Sequence, residues 1–141
     1  MHPNTSELFA ETVEKTDAWL RELMQSMGYS QSHQAYSLLR AVLHVLRDRL
    51  TVEGAAKLGA QLPVLMRGFY YEGWHPAGVP LKLRHKQEFL AQVVKTCPSV
   101  EEDPETAVRA VLTILRRHVT AGEIRHMRDQ LPEELRSLWP T

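Results

Sequence analysis

At 141 residues, 43% hydrophobic and 24% charged, the chain has the makeup of an ordinary soluble globular protein: one domain, or two small halves sharing a core. Lysine plus arginine and aspartate plus glutamate each total 17, so the formal charge is zero. That balance removes the overall positive field on which non-specific nucleic-acid binders rely and argues against nucleic acid as a partner, and no apolar run approaches the roughly 20 residues needed to span a bilayer.

The N-terminal Met-His-Pro-Asn-Thr-Ser-Glu lacks the basic region and apolar core of a signal peptide, which makes the cytoplasm the expected location. Residues 7–27 place Phe9, Val13, Leu20, Leu23, Met24 and Met27 at helical spacing with Trp19 beside them, predicting a helix capped by Asn4 or Ser6 and ended by Gly28. A second helix, from about Ser32 to Leu50, carries the broad stripe Leu38, Leu39, Val42, Leu43, Val45 and Leu46. Thr51 caps a third, which Leu62-Pro63 stops because proline has no N–H to give the preceding turn. Val64 to Tyr71 forms a short fourth helix. Gly73, Pro76, Gly78 and Pro80 then mark a connection, giving a first unit over 1–74, a linker over 75–81 and a second unit over 82–141.

The second unit reads the same way. Residues 84–97 carry Phe89, Leu90, Val93, Val94 and Cys97 on one helical face. Asp103 caps the next helix with Pro104 in its first turn, and Val108, Val111, Leu112, Ile114 and Leu115 repeat the earlier stripe. Thr120-Ala121-Gly122-Glu123 has the form of a capping box, which Thr51-Val52-Glu53-Gly54 lacks. Leu131-Pro132 stops this helix, and Glu133 to Trp139 follows as the counterpart of Val64 to Tyr71.

This parallel is a repeat. Residues 38–70 fall on 107–139 without a gap and share 11 identities: Arg40, Ala41, Val42, Leu43, Leu46, Arg47, Thr51, Gln61, Leu62, Pro63 and Arg67 against Arg109, Ala110, Val111, Leu112, Leu115, Arg116, Thr120, Gln130, Leu131, Pro132 and Arg136. Chance matching would give roughly two. The expectation is an all-α fold, two tandem pseudo-symmetric units of about four helices packed into one helical bundle.

Four matched arginines, Arg47, Arg67, Arg116 and Arg136, allow two readings. Each pairs with a local carboxylate or caps a helix end; or they meet between the halves and hold an anionic ligand by bidentate contacts. The charge is uneven in a way that fits either. Residues 7–22 carry five acids against Lys15 and Arg21, whereas residues 109–128 carry five arginines against Glu123. The aromatic run Phe69, Tyr70, Tyr71 and Trp74 is either a core plug or an exposed interaction surface, since Tyr and Trp are favoured in hot spots.

The seven histidines, His2 among them, include no pair three or four apart, so no metal site is expected. His44 and Asp48 share a helix face as one weak pair. Cys97, the single cysteine, leaves no intramolecular disulfide, fits a reducing compartment and reads as a small buried side chain. No nucleophile elbow, phosphate loop or dinucleotide fingerprint is present, and no cofactor is expected.

The stretches Leu39-Arg40-Ala41-Val42-Leu43, Gln61-Leu62-Pro63, Tyr70-Tyr71-Glu72-Gly73-Trp74 and Leu131-Pro132-Glu133-Glu134-Leu135-Arg136-Ser137-Leu138-Trp139-Pro140 resemble a widespread bacterial domain-of-unknown-function family of small, helical, internally repeated proteins. The resemblance covers nearly the whole chain and implies a bacterial all-α protein, with no catalytic residues to carry over. Together the residues point to a non-enzymatic module that binds a protein partner or its own copies. The alternative is a small-molecule or anion-binding protein with an arginine-lined pocket between the repeats.

Overall fold

Asn4 opens the first helix by accepting the Glu7 N–H at 2.9 Å, at the start of the residues (4–140) that the computed structural model describes. Regular structure among them is helical throughout: α1 (Thr5–Leu8), α2 (Ala10–Met27), α3 (Ser32–Arg49), α4 (Val52–Ala60) and α5 (Val64–Tyr71) in the first half. A 3₁₀ turn (Pro76–Gly78) leads into the second, with α6 (Lys86–Thr96), α7 (Pro104–His118), α8 (Ala121–Asp129) and α9 (Glu133–Arg136). The single helix expected over 7–27 is split at Phe9, which serves α2 as an N-cap with no side-chain hydrogen bond. Gly28 ends α2 at φ +69°, the left-handed turn that glycine adopts without strain.

The centre of the fold is α3. It buries Ala35, Leu38, Leu39 and an unbroken run from Ala41 to Arg47, more than one face of a helix can carry. Helices α2 and α5 pack on it from its own half, and α6 and α7 from the other. Its counterpart α7 buries one face only, through Ala107, Val108, Val111, Leu112, Ile114 and Leu115. One apolar cluster runs from Trp19 through Leu43 and Tyr70 to Val111 and Trp139, so the core is shared between the halves.

The connection is strapped down rather than loose. The Leu81 N–H donates to the Asp48 carbonyl at 2.8 Å, and Arg49 Nε donates to the Leu83 carbonyl at 2.9 Å. These bonds hold residues 81–83 against the end of α3 and delay the next helix to Lys86. There Glu88 Oε1 accepts the His85 N–H at 3.0 Å, one arm of a capping box.

The halves also exchange caps. Thr51 Oγ accepts the Gly54 N–H, but its own N–H and hydroxyl donate to Gln130 Oε1 at 3.1 and 2.9 Å. Thr120 Oγ accepts the Glu123 N–H, while the Thr120 N–H donates to Gln61 Oε1 at 3.0 Å and Gln61 Nε2 donates back to the hydroxyl. The capping box expected at Thr120 and Glu123 is therefore only half made. A glutamine amide both accepts and donates at Thr120, which a carboxylate cannot do, and Glu123 Oε1 is left buried without a hydrogen-bond partner. Gly54 admits the partner amide, since a Cβ there would collide with Gln130.

Candidate functional site

Of the six matched arginines, Arg47, Arg67, Arg116 and Arg136 have separate backbone or solvent surroundings, and none of the clefts described is lined by more than one of them. Arg47, 3% exposed, forks onto both Asp48 oxygens at 2.8 and 3.1 Å. Its Nη1 donates to the carbonyls of Tyr70 and Glu72 at 2.7 and 2.8 Å, closing the C-terminus of α5. Arg67 does the same for α4, donating to the carbonyls of Gly59, Ala60 and Leu62. Arg116 donates to the Pro140 carbonyl at 3.2 Å, and Arg136 is exposed on α9.

The aromatic run packs inward. Tyr70 is fully buried and its hydroxyl donates to the Ala55 carbonyl at 2.6 Å; burial holds that phenol above its ordinary pKa. Phe69 meets Tyr36 edge-on at 5.2 Å between ring centroids. Tyr71 packs against Tyr70 and Trp74, and its hydroxyl fills the space that Gly59 leaves. Of the four residues expected at an interaction surface, only Tyr71 and Trp74 reach solvent, both half-buried.

Of the histidines, His44, His85 and His118 have side-chain partners; His2 lies outside the described residues. His44 Nε2 donates to the Phe69 carbonyl at 2.7 Å and does not pair with Asp48, which serves Arg47 instead. His85 pairs with Glu134. His118 stacks on Trp19 at 4.6 Å and pairs with Glu22 at 2.6 Å. Cys97 is buried, its Sγ 3.4 Å from Ser99 Oγ.

What the fold leaves open is an apolar groove between α1–α2 and the start of α5. Leu8 and Val64, which line it, are each 65% exposed and Phe9 53%; Val13 (49%) and Leu65 (46%) are exposed on the same elements outside its lining. The walls are pinned together, because the Leu65 N–H donates to Thr12 Oγ at 2.8 Å. One cleft of about 480 Å³ is lined by Leu8, Phe9, Thr12, Leu62, Pro63 and Val64 together with the charged Glu11, Lys15 and Arg67. A second, of about 370 Å³, shares Lys15, Leu62 and Pro63 and extends past Ala18 and Trp19 to His118.

Phe9 and Val13 continue the apolar spacing of the buried Trp19 and Leu23, so the pattern places them in the core. Helical periodicity identifies the apolar face of a helix but not whether a neighbour covers it. The missing signal is that α2 runs longer than its partner α6, 18 residues against 11, so its first turns have no counterpart.

A polar cleft of about 280 Å³ lies between α3 and the turn after α6, lined by Tyr36, Ser37, Arg40, Glu72, Thr96, Cys97 and Ser99. Arg40 there faces Glu72 at 3.6 Å. Among the described residues, no three His, Cys, Asp or Glu side chains gather as metal ligands, and no helix is long and apolar enough to cross a membrane.

No curated protein matches the chain. A family model described as an uncharacterised conserved protein matches residues 16–138, taking in the Val64 wall of the groove but not Leu8, Phe9 or Val13. On that match, which spans most of the sequence, the chain belongs to the uncharacterised conserved protein family DUF2267.

Proposed function

We propose that the protein is a non-enzymatic interaction module that receives an apolar segment of a partner protein in the groove between α1–α2 and α5. One observation carries this. Among the described residues six large hydrophobic side chains are exposed; five (Leu8, Phe9, Val13, Val64 and Leu65) lie on these elements and one, Val52, elsewhere. Scattered apolar residues are ordinary, but a rimmed apolar concavity is the usual mark of a docking surface. The half-buried Tyr71 and Trp74 are the part of the aromatic run still open to a partner. The single buried cysteine and the resemblance to bacterial sequences support a bacterial cytoplasmic setting. The 11 matched identities and the exchanged glutamine caps support an origin of the two halves by duplication.

The test is selection of peptides from a random library on the intact chain, followed by amide-exchange footprinting. Protection confined to residues 8–18 and 62–67 is expected. A footprint elsewhere, or no selected binder, sinks the reading.

A second reading, a small anion held between the halves, is favoured by the cleft that Arg40 lines together with the hydroxyl-bearing residues Tyr36, Ser37, Thr96 and Ser99. Glu72 competes for the same charge. Thermal stabilisation by millimolar phosphate, lost in Arg40→Gln, is what this alternative requires.

A further inference from the structure

We infer that two adjoining clefts between α3 and the α6–α7 turn form one trough for a small linear zwitterion, its carboxylate on Arg40 and its ammonium at Glu101 and Glu102. This deepens the second reading above and rests on the Arg40 cleft taking an anion. That cleft, of about 280 Å³, adjoins another of about 240 Å³, and Ser37, Cys97 and Ser99 line both. One wall is α3 over residues 33–40, and the other is residues 96–102. The helical wall sets the length of the trough at about 10 Å, at 1.5 Å per residue.

The second wall is where the halves differ in length. Residues 28–31 join α2 to α3, whereas the longer run 97–103 joins α6 to α7. That longer connection supplies Ser99, Glu101 and Glu102 to the lining.

The ends of the trough carry opposite charge. At one, the Arg40 guanidinium forms no hydrogen bond among the described residues, and Glu72 stands 3.6 Å away, too far to accept one. Both side chains reach solvent, so this pair is weak and a ligand carboxylate can displace Glu72 and take the guanidinium N–H groups directly. At the other end, Glu101 and Glu102 line the cleft and form no ion pair among the described residues. Glu102 accepts the Tyr29 hydroxyl at 3.1 Å, which positions the carboxylate and leaves it lone pairs for an ammonium. Burial, with Glu102 beside it, holds the Tyr29 phenol above its ordinary pKa, so the hydroxyl stays a donor. The residues common to both clefts include no lysine, arginine, aspartate or glutamate, so charge is read at the ends alone. An inorganic anion uses one end and a simple amine the other. A molecule with both charges about 10 Å apart, the span of an extended tripeptide, uses both.

The experiment titrates the intact protein with triglycine, N-acetyl-triglycine (no ammonium) and triglycinamide (no carboxylate), following backbone amide chemical shifts. Triglycine should shift residues 29–40 and 96–102, and each blocked form should bind at least about fivefold more weakly. Arg40→Gln should erase the preference over triglycinamide, and Glu101→Gln/Glu102→Gln the preference over the acetylated form. Glutamine at 102 can still accept the Tyr29 hydroxyl, which protects the fold. Glu72→Gln should tighten triglycine binding by freeing the guanidinium, an effect that a purely structural pair would not produce. 8-Aminooctanoate, with as many chain atoms as triglycine, separates the sources: equal affinity assigns the site to the two charges alone, and weaker affinity to a peptide. Acetylated peptide that binds as tightly as triglycine, and is lost in Arg40→Gln, would overturn the zwitterion and leave the anion reading. Triglycinamide binding as tightly as triglycine, or no shift at these residues with any of the three, would overturn both.

Discussion

The two halves use the same residues at the same places and commit them to different depths. In the first, Arg47 is buried, gripped by Asp48 and bonded to two carbonyls of the α5 terminus. In the second, Arg116 lies at the surface and reaches the Pro140 carbonyl, and position 117 holds another arginine where Asp48 stood. Tyr70 finds a carbonyl for its hydroxyl, whereas the matched Trp139 has its indole nitrogen buried without a hydrogen-bond partner. The lesson is that matched positions can keep the residue that closes a helix without preserving how much stability rests on it. The first half supplies the enclosed centre, α3; the second supplies a cover.

The sharpest way to break this comparison is to remove both arginines in turn. Arg47→Met should cost about 3 kcal/mol, because it strands two carbonyls and a partly buried carboxylate together. Arg116→Met should cost less than about 1 kcal/mol, as expected of an exposed guanidinium. Urea denaturation of the two variants measures the difference, and equal losses would refute the asymmetry.

Much of the architecture was legible in the sequence because it is local. Asn4, Thr51, Asp103 and Thr120 each accept an N–H three residues on, and Pro63 and Pro132 start the helices that follow them. What was not legible depends on distance. Gln61 and Gln130 act 59 and 79 residues away in the chain, so nothing near them reveals which helix they cap. The arginines were read as either structural or ligand-binding because a guanidinium is a good partner for carbonyls and for anions alike. Position in the fold, not residue type, separates those roles. The groove was hidden for a related reason: Phe9 and Val13 have core-like spacing, and spacing does not show whether a neighbouring helix covers them.

The glutamines sharpen the comparison at a smaller scale. Gln130→Ala and Gln61→Ala should each cost about 1 kcal/mol, one exchanged cap apiece, and the double variant about 2 kcal/mol. The asymmetry lies at Gly54, matched by Glu123. Gly54→Ala sets the gain in helix propensity, about 1 kcal/mol, against a collision with the Gln130 amide. In a Gln130→Ala background the collision is gone, so the same substitution should become stabilising. A double-mutant cycle measured by thermal denaturation reads this coupling directly. Additive effects would mean that Gln130 yields without loss and that glycine is not needed for the cap.

The smallest effect concerns protons. His44 is buried on α3, and Thr113 at the matched position in α7 instead bonds its own helix at the Arg109 carbonyl. Burial holds the His44 pKa below the ordinary histidine value; nearby Arg47 and Arg40 add to this, and the Phe69 carbonyl and Asp48 oppose it. A depressed folded-state pKa means that the unfolded chain takes up the proton first. Stability therefore falls as pH drops through about 6.5, the unfolded value, and the loss is complete once the folded state also protonates. His44→Thr, copying the second half, should cost about 1 kcal/mol at pH 7.5 through the lost bond to Phe69. It should also flatten the decline in melting temperature between pH 7 and pH 5. Parallel pH profiles would show that the proton-linked loss of stability originates outside α3 and that the halves do not differ in this respect.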